Sequence, residues 1–380
     1  MTSEASGFGI YVHAPWCRIH CPYCSFVVAV DPDPPFRAWV DRCLQDYSRL
    51  APHYPGLADT LFVGGGTPSL IPPPLLRELF AALPTRPGAE RTIEVNPGKL
   101  PPALLDAFLN AGVNRLSLGI QSFSPRIARR LGRGHTVTQA RQLAGLVGEV
   151  GFRSWSVDLI FAVPGQTIEE LDADLDEIER LGPPHVSLYG LEFHPGTPFA
   201  RARDLGRMTP TDEDGWRTQY DRVVTRLEAA GWERYEVSNF ARPGHRARHN
   251  EAVWRGGAYA GIGPGAHGLR PDGARTQQAD TVAGWLEDRP GSLEVPDRHQ
   301  AAVDFVLSTL RHVDGLPLAP LRRRFGLTPA PRPLAGLTGA GLLTWRQGHL
   351  LLGVAGFPVA DGLVARVIDA LVPAAADGDR

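Results

Sequence analysis

The chain has 380 residues, 43% hydrophobic and 21% charged, with 39 basic against 41 acidic side chains and a net charge of -2. That balance leaves no electrostatic footprint for nucleic acid, and no apolar run approaches the ~20 residues of a membrane span. The length suits one large domain with a smaller one, and with no basic region followed by an apolar stretch at the start, a cytoplasmic protein with reduced thiols is expected.

In chain order, β-rich runs are predicted at 8–12, 60–63, 91–95, 114–120, 154–160, 185–190 and 232–237. Amphipathic helical stretches lie between them at 36–50, 74–83, 101–110, 138–150, 168–181 and 211–230. This alternation predicts an α/β fold built of βαβ units on a parallel sheet, occupying residues 1–235. Residues 236–295 are rich in glycine, histidine and aromatics and read as an ordered connecting region long enough to be functional. Helical periodicity returns at 301–311 and 318–325, followed by a hairpin-like pair at 342–344 and 349–352 and a helix at 359–371. Helices with a small hairpin predict a winged-helix-like accessory domain over 296–373, and 374–380 reads as a frayed tail.

The first predicted strand runs into Cys17-Arg18-Ile19-His20-Cys21-Pro22-Tyr23-Cys24. Three thiols within eight positions suit a cubane iron–sulfur cluster with three irons anchored and one corner open to a second molecule. Zinc held by the three cysteines with His20 or His13 is the competing reading. The fourth cysteine, Cys43, falls in a helical pattern and reads as a buried small apolar residue.

In parallel α/β sheets, chemistry gathers at the carboxyl ends of strands. There the sequence places the cysteine loop, Gly64-Gly65-Gly66-Thr67-Pro68-Ser69, Glu94-Val95-Asn96-Pro97, Gly119-Ile120-Gln121-Ser122-Phe123 and Asp158-Leu159-Ile160. The glycines allow close approach of backbone to a ligand; no lysine follows, so this is no phosphate-binding P-loop. Glu94 and Asp158 lie in apolar β-runs, where a carboxylate is either ion-paired, here to Arg115 or Arg133, or binds something. Gln121 and Arg133 add amide and guanidinium contacts.

These motifs, with Tyr11-Val12-His13 before the cysteines and Pro164-Gly165-Gln166-Thr167 after Asp158, resemble the radical S-adenosylmethionine enzymes. Within them the chain is similar to the oxygen-independent coproporphyrinogen III oxidase family over nearly its whole length. The resemblance implies a partial (β/α) barrel with a [4Fe-4S] cluster on Cys17, Cys21 and Cys24, and S-adenosylmethionine at the open iron, whose sulfonium the reduced cluster cleaves. It implies that Tyr11 flanks cluster and cofactor, and that Gly65, Gly66 and Thr67 meet the methionine amino end. Glu94, Gln121, Arg133 and Asp158 then supply the remaining polar contacts.

The oxidases place a further cysteine two residues after the third ligand and carry a longer N-terminal extension. Here that position is Phe26, and about seven residues precede the first strand. Both departures resemble the heme chaperone branch, as do Tyr235-Glu236-Val237-Ser238-Asn239-Phe240-Ala241 and Arg248-His249-Asn250 with Trp254, although Val253 stands where the branch has tyrosine. The implied function is transfer of heme to an acceptor protein; the alternative is radical oxidative decarboxylation of a porphyrinogen. His249 is the expected axial heme ligand, with Arg248 on a propionate, Asn250 orienting the ring and Trp254 against the macrocycle; the competing reading is that His249 and Asn250 tie a long loop to the barrel by hydrogen bonds. His245 and His267 are the back-up ligands.

Overall fold

Six parallel strands in consecutive spatial order form the centre of the protein: β1 (Gly9–Ala14), β2 (Ala58–Gly65), β3 (Thr85–Val95), β4 (Arg115–Gln121), β5 (Ser154–Phe161) and β6 (His185–Gly190). The structure is a computed structural model that describes residues 7–98 and 100–374. Helices carry the chain back between strands: α1 (Phe36–Leu50), α2 (Pro73–Ala82), α3 (Pro102–Asn110), the pair α4 (Pro125–Arg130) and α5 (Val137–Val150), and α6 (Ile168–Leu181). Capping boxes at Thr136/Gln139 and Thr167/Glu170 start α5 and α6, and left-handed Gly151 and Gly182 end them. After β6 follow α7 (Pro198–Asp204) and α8 (Glu213–Ala229).

Each strand sorts its side chains by the two-residue alternation of an extended chain. Ile10, Val12, Leu61, Val63, Ile93, Leu116, Leu118 and Val157 are fully buried in the shared apolar core. The opposite face carries Tyr11, His13, Thr92, Glu94, Arg115, Ser117, Ser156, Asp158 and Ser187, and is therefore polar. An inward polar face with an outward apolar one gives a partial barrel whose interior can hold a ligand rather than a second hydrophobic core.

Two predicted features differ. The run 232–237 is no parallel barrel strand: only β7 (Glu233–Arg234) is extended, paired antiparallel to β8 (Asn239–Ala241), which itself runs antiparallel to β6. The buried Glu236 carboxylate accepts from the Ser238 backbone N–H (2.9 Å), within the tight reversal that turns the chain there. Residues 236–295 are also more than a connection. They supply β8, the helix α9 (Arg248–Trp254), β9 (Tyr259–Ile262), β10 (His267–Leu269), β11 (Arg275–Gln277), α10 (Val282–Leu286) and β12 (Ser292–Glu294). β9 pairs parallel to β1, and β10 to β12 extend the sheet from there, giving twelve strands in the order β12-β11-β10-β9-β1-β2-β3-β4-β5-β6-β8-β7. The two outer strands are not joined, so the barrel stays open.

The C-terminal part contains α11 (Arg298–Thr309), α12 (Leu318–Phe325), α13 (Pro331–Gly339), an antiparallel hairpin of Leu343–Arg346 with His349–Leu352, and α14 (Ala360–Asp369). Residues 375–380 of the tail expected to fray lie outside the described residues. Among the described residues no helix is long and apolar enough to cross a membrane.

Candidate functional site

The cysteine loop leaves the end of β1 and is clamped at its base. Trp16 and Cys17 pair in parallel with Ala29 and Val30, and Trp16 is buried edge-on against Phe36 and Trp39. Cys17, Cys21 and Cys24 are free and half-buried. Burial raises the pKa of the Cys17 and Cys24 thiols, so an incoming metal must displace their protons. Cys43 is fully buried in α1, and its thiol is pushed well above its ordinary range.

The zinc reading is not supported by the geometry. The His13 ring is held by the Tyr11 hydroxyl (3.0 Å) and the Val27 carbonyl (2.7 Å), and the His20 ring by the Cys24 carbonyl (3.2 Å). Among the described residues no trio of His, Cys, Asp or Glu converges on a single-ion position. Three soft thiolates spread around one loop fit the corners of a cluster better than one ion.

A cavity of about 680 Å³ opens over these thiols. The same cavity receives Gly65, Gly66, Thr67, Glu94, Gln121, Arg133 and Asp158, from the ends of β2, β3, β4 and β5 and the segment after α4. Gly65 has a left-handed φ of 109°, and a Cβ there would stand 2.5 Å from the His13 ring. At Gly66 a Cβ would strike the Pro15 and Trp16 backbone at 2.8 Å, so only glycine lets this turn press against the cysteine loop.

A continuous polar chain links the first and second cysteines. Thr67 donates its hydroxyl to Cys17 Sγ (3.5 Å), and Asn96 Nδ2 donates to Thr67 Oγ1 (2.8 Å). Arg133 donates to Asn96 Oδ1, to the Gly119 carbonyl (2.6 Å) and to Cys21 Sγ (3.4 Å). Hydrogen bonds to sulfur are among the levers that set cluster potential. Asn96 and Tyr23, whose hydroxyl takes a further bond from Arg133 (3.4 Å), are site residues that sequence reasoning left out. Asn96 sits two residues after Glu94, just past the end of β3, and that period was the available signal. Gln121 adopts a left-handed φ of 72° where the β4–β5 register shifts. Such strain costs roughly 1–3 kcal/mol and concentrates where a side chain must be aimed.

Neither Glu94 nor Asp158 forms the ion pair with Arg115 or Arg133 that a structural role would require. Glu94 accepts the Gly65 backbone N–H (3.0 Å). Burial, and then the charge of Asp158, push its pKa to about 8. Asp158 accepts from the hydroxyls of Ser117 (2.7 Å) and Ser156 (3.4 Å), yet burial still raises it. Two buried carboxyls that open to a cavity and form no ion pair among the described residues are suited to a cationic ligand.

Two expected site residues lie elsewhere. Tyr11 does not line the cavity; its hydroxyl goes to His13, which in turn supports the glycine turn from beneath. His249 is corrected more thoroughly. It lies at the amino-terminal ends of the strands, packed against Gly9, away from the cysteine loop. Nδ1 bonds Thr60 Oγ1 (2.8 Å), the ring stacks among Tyr11 and Phe62, and burial lowers its pKa to about 4. The Glu90 carboxylate caps α9 by accepting the backbone N–H groups of Arg248 and His249 (3.0 Å each). Arg248 reaches the Gly88 carbonyl (2.9 Å), and Trp254 packs under Arg311. A buried imidazole bonded on both its ring and its backbone presents no face to a macrocycle. His249→Ala is therefore expected to cost about 2–5 kcal/mol of stability, as core truncations do, read as a lowered urea midpoint, with an unchanged heme spectrum. A wild-type midpoint with an altered heme spectrum would restore the ligand role.

Comparison with known proteins bears on the whole. Residues 11–178 match the radical SAM superfamily. The chain is 38% identical to heme chaperone HemW of Escherichia coli (strain K12) over 290 residues, 74% of this chain and 76% of that one. It is 34% identical to heme chaperone HemW of Mycobacterium tuberculosis (strain ATCC 25618 / H37Rv) over 380 residues, 95% of each chain. Among solved structures, coproporphyrinogen III oxidase (HemN) of Escherichia coli, described as a radical SAM enzyme, superposes with a TM-score of 0.80 at 21% identity, covering 96% of this chain and 90% of that one.

Proposed function

We propose that this chain, which belongs to the heme chaperone HemW family of the radical SAM superfamily, binds heme and hands it to an acceptor protein. The observation that carries the reading is the likeness to the Mycobacterium tuberculosis HemW over 95% of both chains. The fold likeness to HemN, at 21% identity, argues for shared architecture alone. Phe26, where the oxidases have a cysteine, favours the chaperone over the decarboxylase.

Membership of the superfamily implies a [4Fe-4S] cluster and S-adenosylmethionine. In the proposed site Cys17, Cys21 and Cys24 hold the cluster, and Arg133 and Thr67 donate to its sulfur ligands. Gly65, Gly66 and Thr67 offer backbone to the methionine end of the cofactor, and Glu94 and Asp158 face its positive groups. Gln121 and Arg133 complete the polar wall. When bound, the cluster supplies an open iron for the cofactor's amino-acid end and an electron for its sulfonium. The reduced thiols this chemistry needs are consistent with a cytoplasmic protein.

Anaerobic reconstitution followed by paired assays tests the reading. Saturable hemin binding is expected, with no decarboxylated product from coproporphyrinogen III under reducing conditions with S-adenosylmethionine. Product above a cluster-free control would establish the oxidase instead.

A further inference from the structure

With His249 sealed in the core, the cargo needs another seat, and the mouth of the cluster cavity has unusual composition. Phe26, Ile19 and Tyr189 are 62%, 50% and 42% exposed, large apolar side chains gathered on one cavity rather than scattered. Leu191 and Ile160 line it too. Clustered exposed apolar surface marks a binding site. Phe26 is also the position at which this chain departs from the oxidases, and the S-adenosylmethionine contacts make no use of it.

Three imidazoles line the cavity, of His20, His135 and His194; His135 is buried below the rim, and of the two exposed ones His194 is the better placed. His194 lies in the loop after β6, exposed. Its backbone is fixed: its carbonyl accepts both the backbone N–H (3.2 Å) and the hydroxyl (2.7 Å) of Thr197, which caps α7. Among the described residues its side chain pairs with Glu192, Nε2 standing 3.3 Å from the carboxylate. An imidazole with a carboxylate on one nitrogen and the other free is the usual second-shell arrangement of a metal-ligating histidine. His20 is less suited, since its ring closes the cysteine loop onto the Cys24 carbonyl. Charge for a propionate is at hand: Arg18 on the cysteine loop lines the cavity, is exposed and has no acidic partner among the described residues.

We propose that heme docks across the mouth of the cluster cavity, with His194 as its axial ligand, Phe26 and Ile19 against the macrocycle, and Arg18 on a propionate. This rests on the heme-carrying reading above. A rim seat leaves the second heme face and one edge open, as a carrier that must release its cargo requires.

The test is hemin titration of the cluster-reconstituted protein, followed by the Soret band, in wild type and in His194→Ala, Glu192→Gln, His245→Ala and His267→Ala. His194→Ala is expected to shift or remove the band and weaken binding at least tenfold, with iron and sulfide content unchanged. Glu192→Gln should shift the band with a smaller loss, and the other two should match wild type. A wild-type band and affinity in His194→Ala overturns the site while leaving the heme-carrying reading intact. Failure of the wild type itself to bind hemin saturably overturns that reading, and the site with it. Phe26→Asp gives an independent check: it leaves every nitrogen ligand in place and should still weaken hemin at least severalfold, whereas unchanged affinity would remove the macrocycle from this mouth.

Discussion

Replacing any one of Cys17, Cys21 and Cys24 by alanine is expected to abolish the iron–sulfur cluster outright. Each cysteine anchors one iron, and the described residues around the loop offer no substitute donor: His13 and His20 are both engaged, and Cys43 is buried in α1. Loss of one thiolate of three also leaves two irons' worth of anchoring on a loop whose ends are fixed by the Trp16–Ala29 ladder, which cannot slide to compensate. Iron and sulfide analysis of anaerobically reconstituted protein, with the paramagnetic spectrum of its reduced form, reads the outcome. Cys43→Ala should retain the full cluster and cost about 1 kcal/mol through the small cavity it leaves. Wild-type protein that takes up one zinc and no sulfide would end the cluster assignment.

Glu94→Gln should separate binding from stability, moving them in opposite directions. In the cluster-free protein the Glu94 pKa of about 8 stands above its ordinary 4.5, so between those values the folded state holds a proton that the unfolded chain has released. The stabilising contribution of this group is complete below pH 4.5 and is lost as the pH rises through 8. Above pH 8 the wild type carries a buried carboxylate beside Asp158, and Glu94→Gln is expected to melt at a higher temperature there. The same substitution removes a charge-assisted contact to the cationic cofactor worth about 1.5–3 kcal/mol, on the order of a ten- to hundredfold loss of S-adenosylmethionine affinity. In the wild type, affinity should climb as pH approaches 8 and Glu94 ionises; in the variant that slope should flatten. A pH-independent affinity in both proteins would remove Glu94 from the cofactor's contacts.

The site was legible in the sequence wherever its signal is local. The cysteine spacing and the glycine turn are contiguous, and the strand ends carrying Glu94, Gln121 and Asp158 announce themselves as polar residues in apolar runs. What stayed hidden depends on partners far along the chain. Glu90 caps α9 from about 160 residues away, which neither segment reveals alone. His249 looked like a ligand because it sits among arginine, asparagine and tryptophan in sequence; in the fold its neighbours are Thr60, Phe62 and Tyr11. The strands β9 to β12 are three or four residues each, too short for an alternation to register, and they exist because they lean on the edge of β1 and on one another. Tyr11 was misplaced by one layer: it and His13 share a strand face, and it is His13 that reaches the glycine turn.

The burial of Cys43 makes this protein its own gauge. With that sulfhydryl sealed from solvent and only four in the chain, a thiol-reactive dye added without denaturant can label three positions at most, and all three belong to the loop. Intact-mass spectrometry after alkylation then counts, molecule by molecule, how many loops were empty. Oxygen damage during purification becomes a distribution of mass adducts, readable on a sample too dilute for iron analysis and free of any assumption about extinction coefficients.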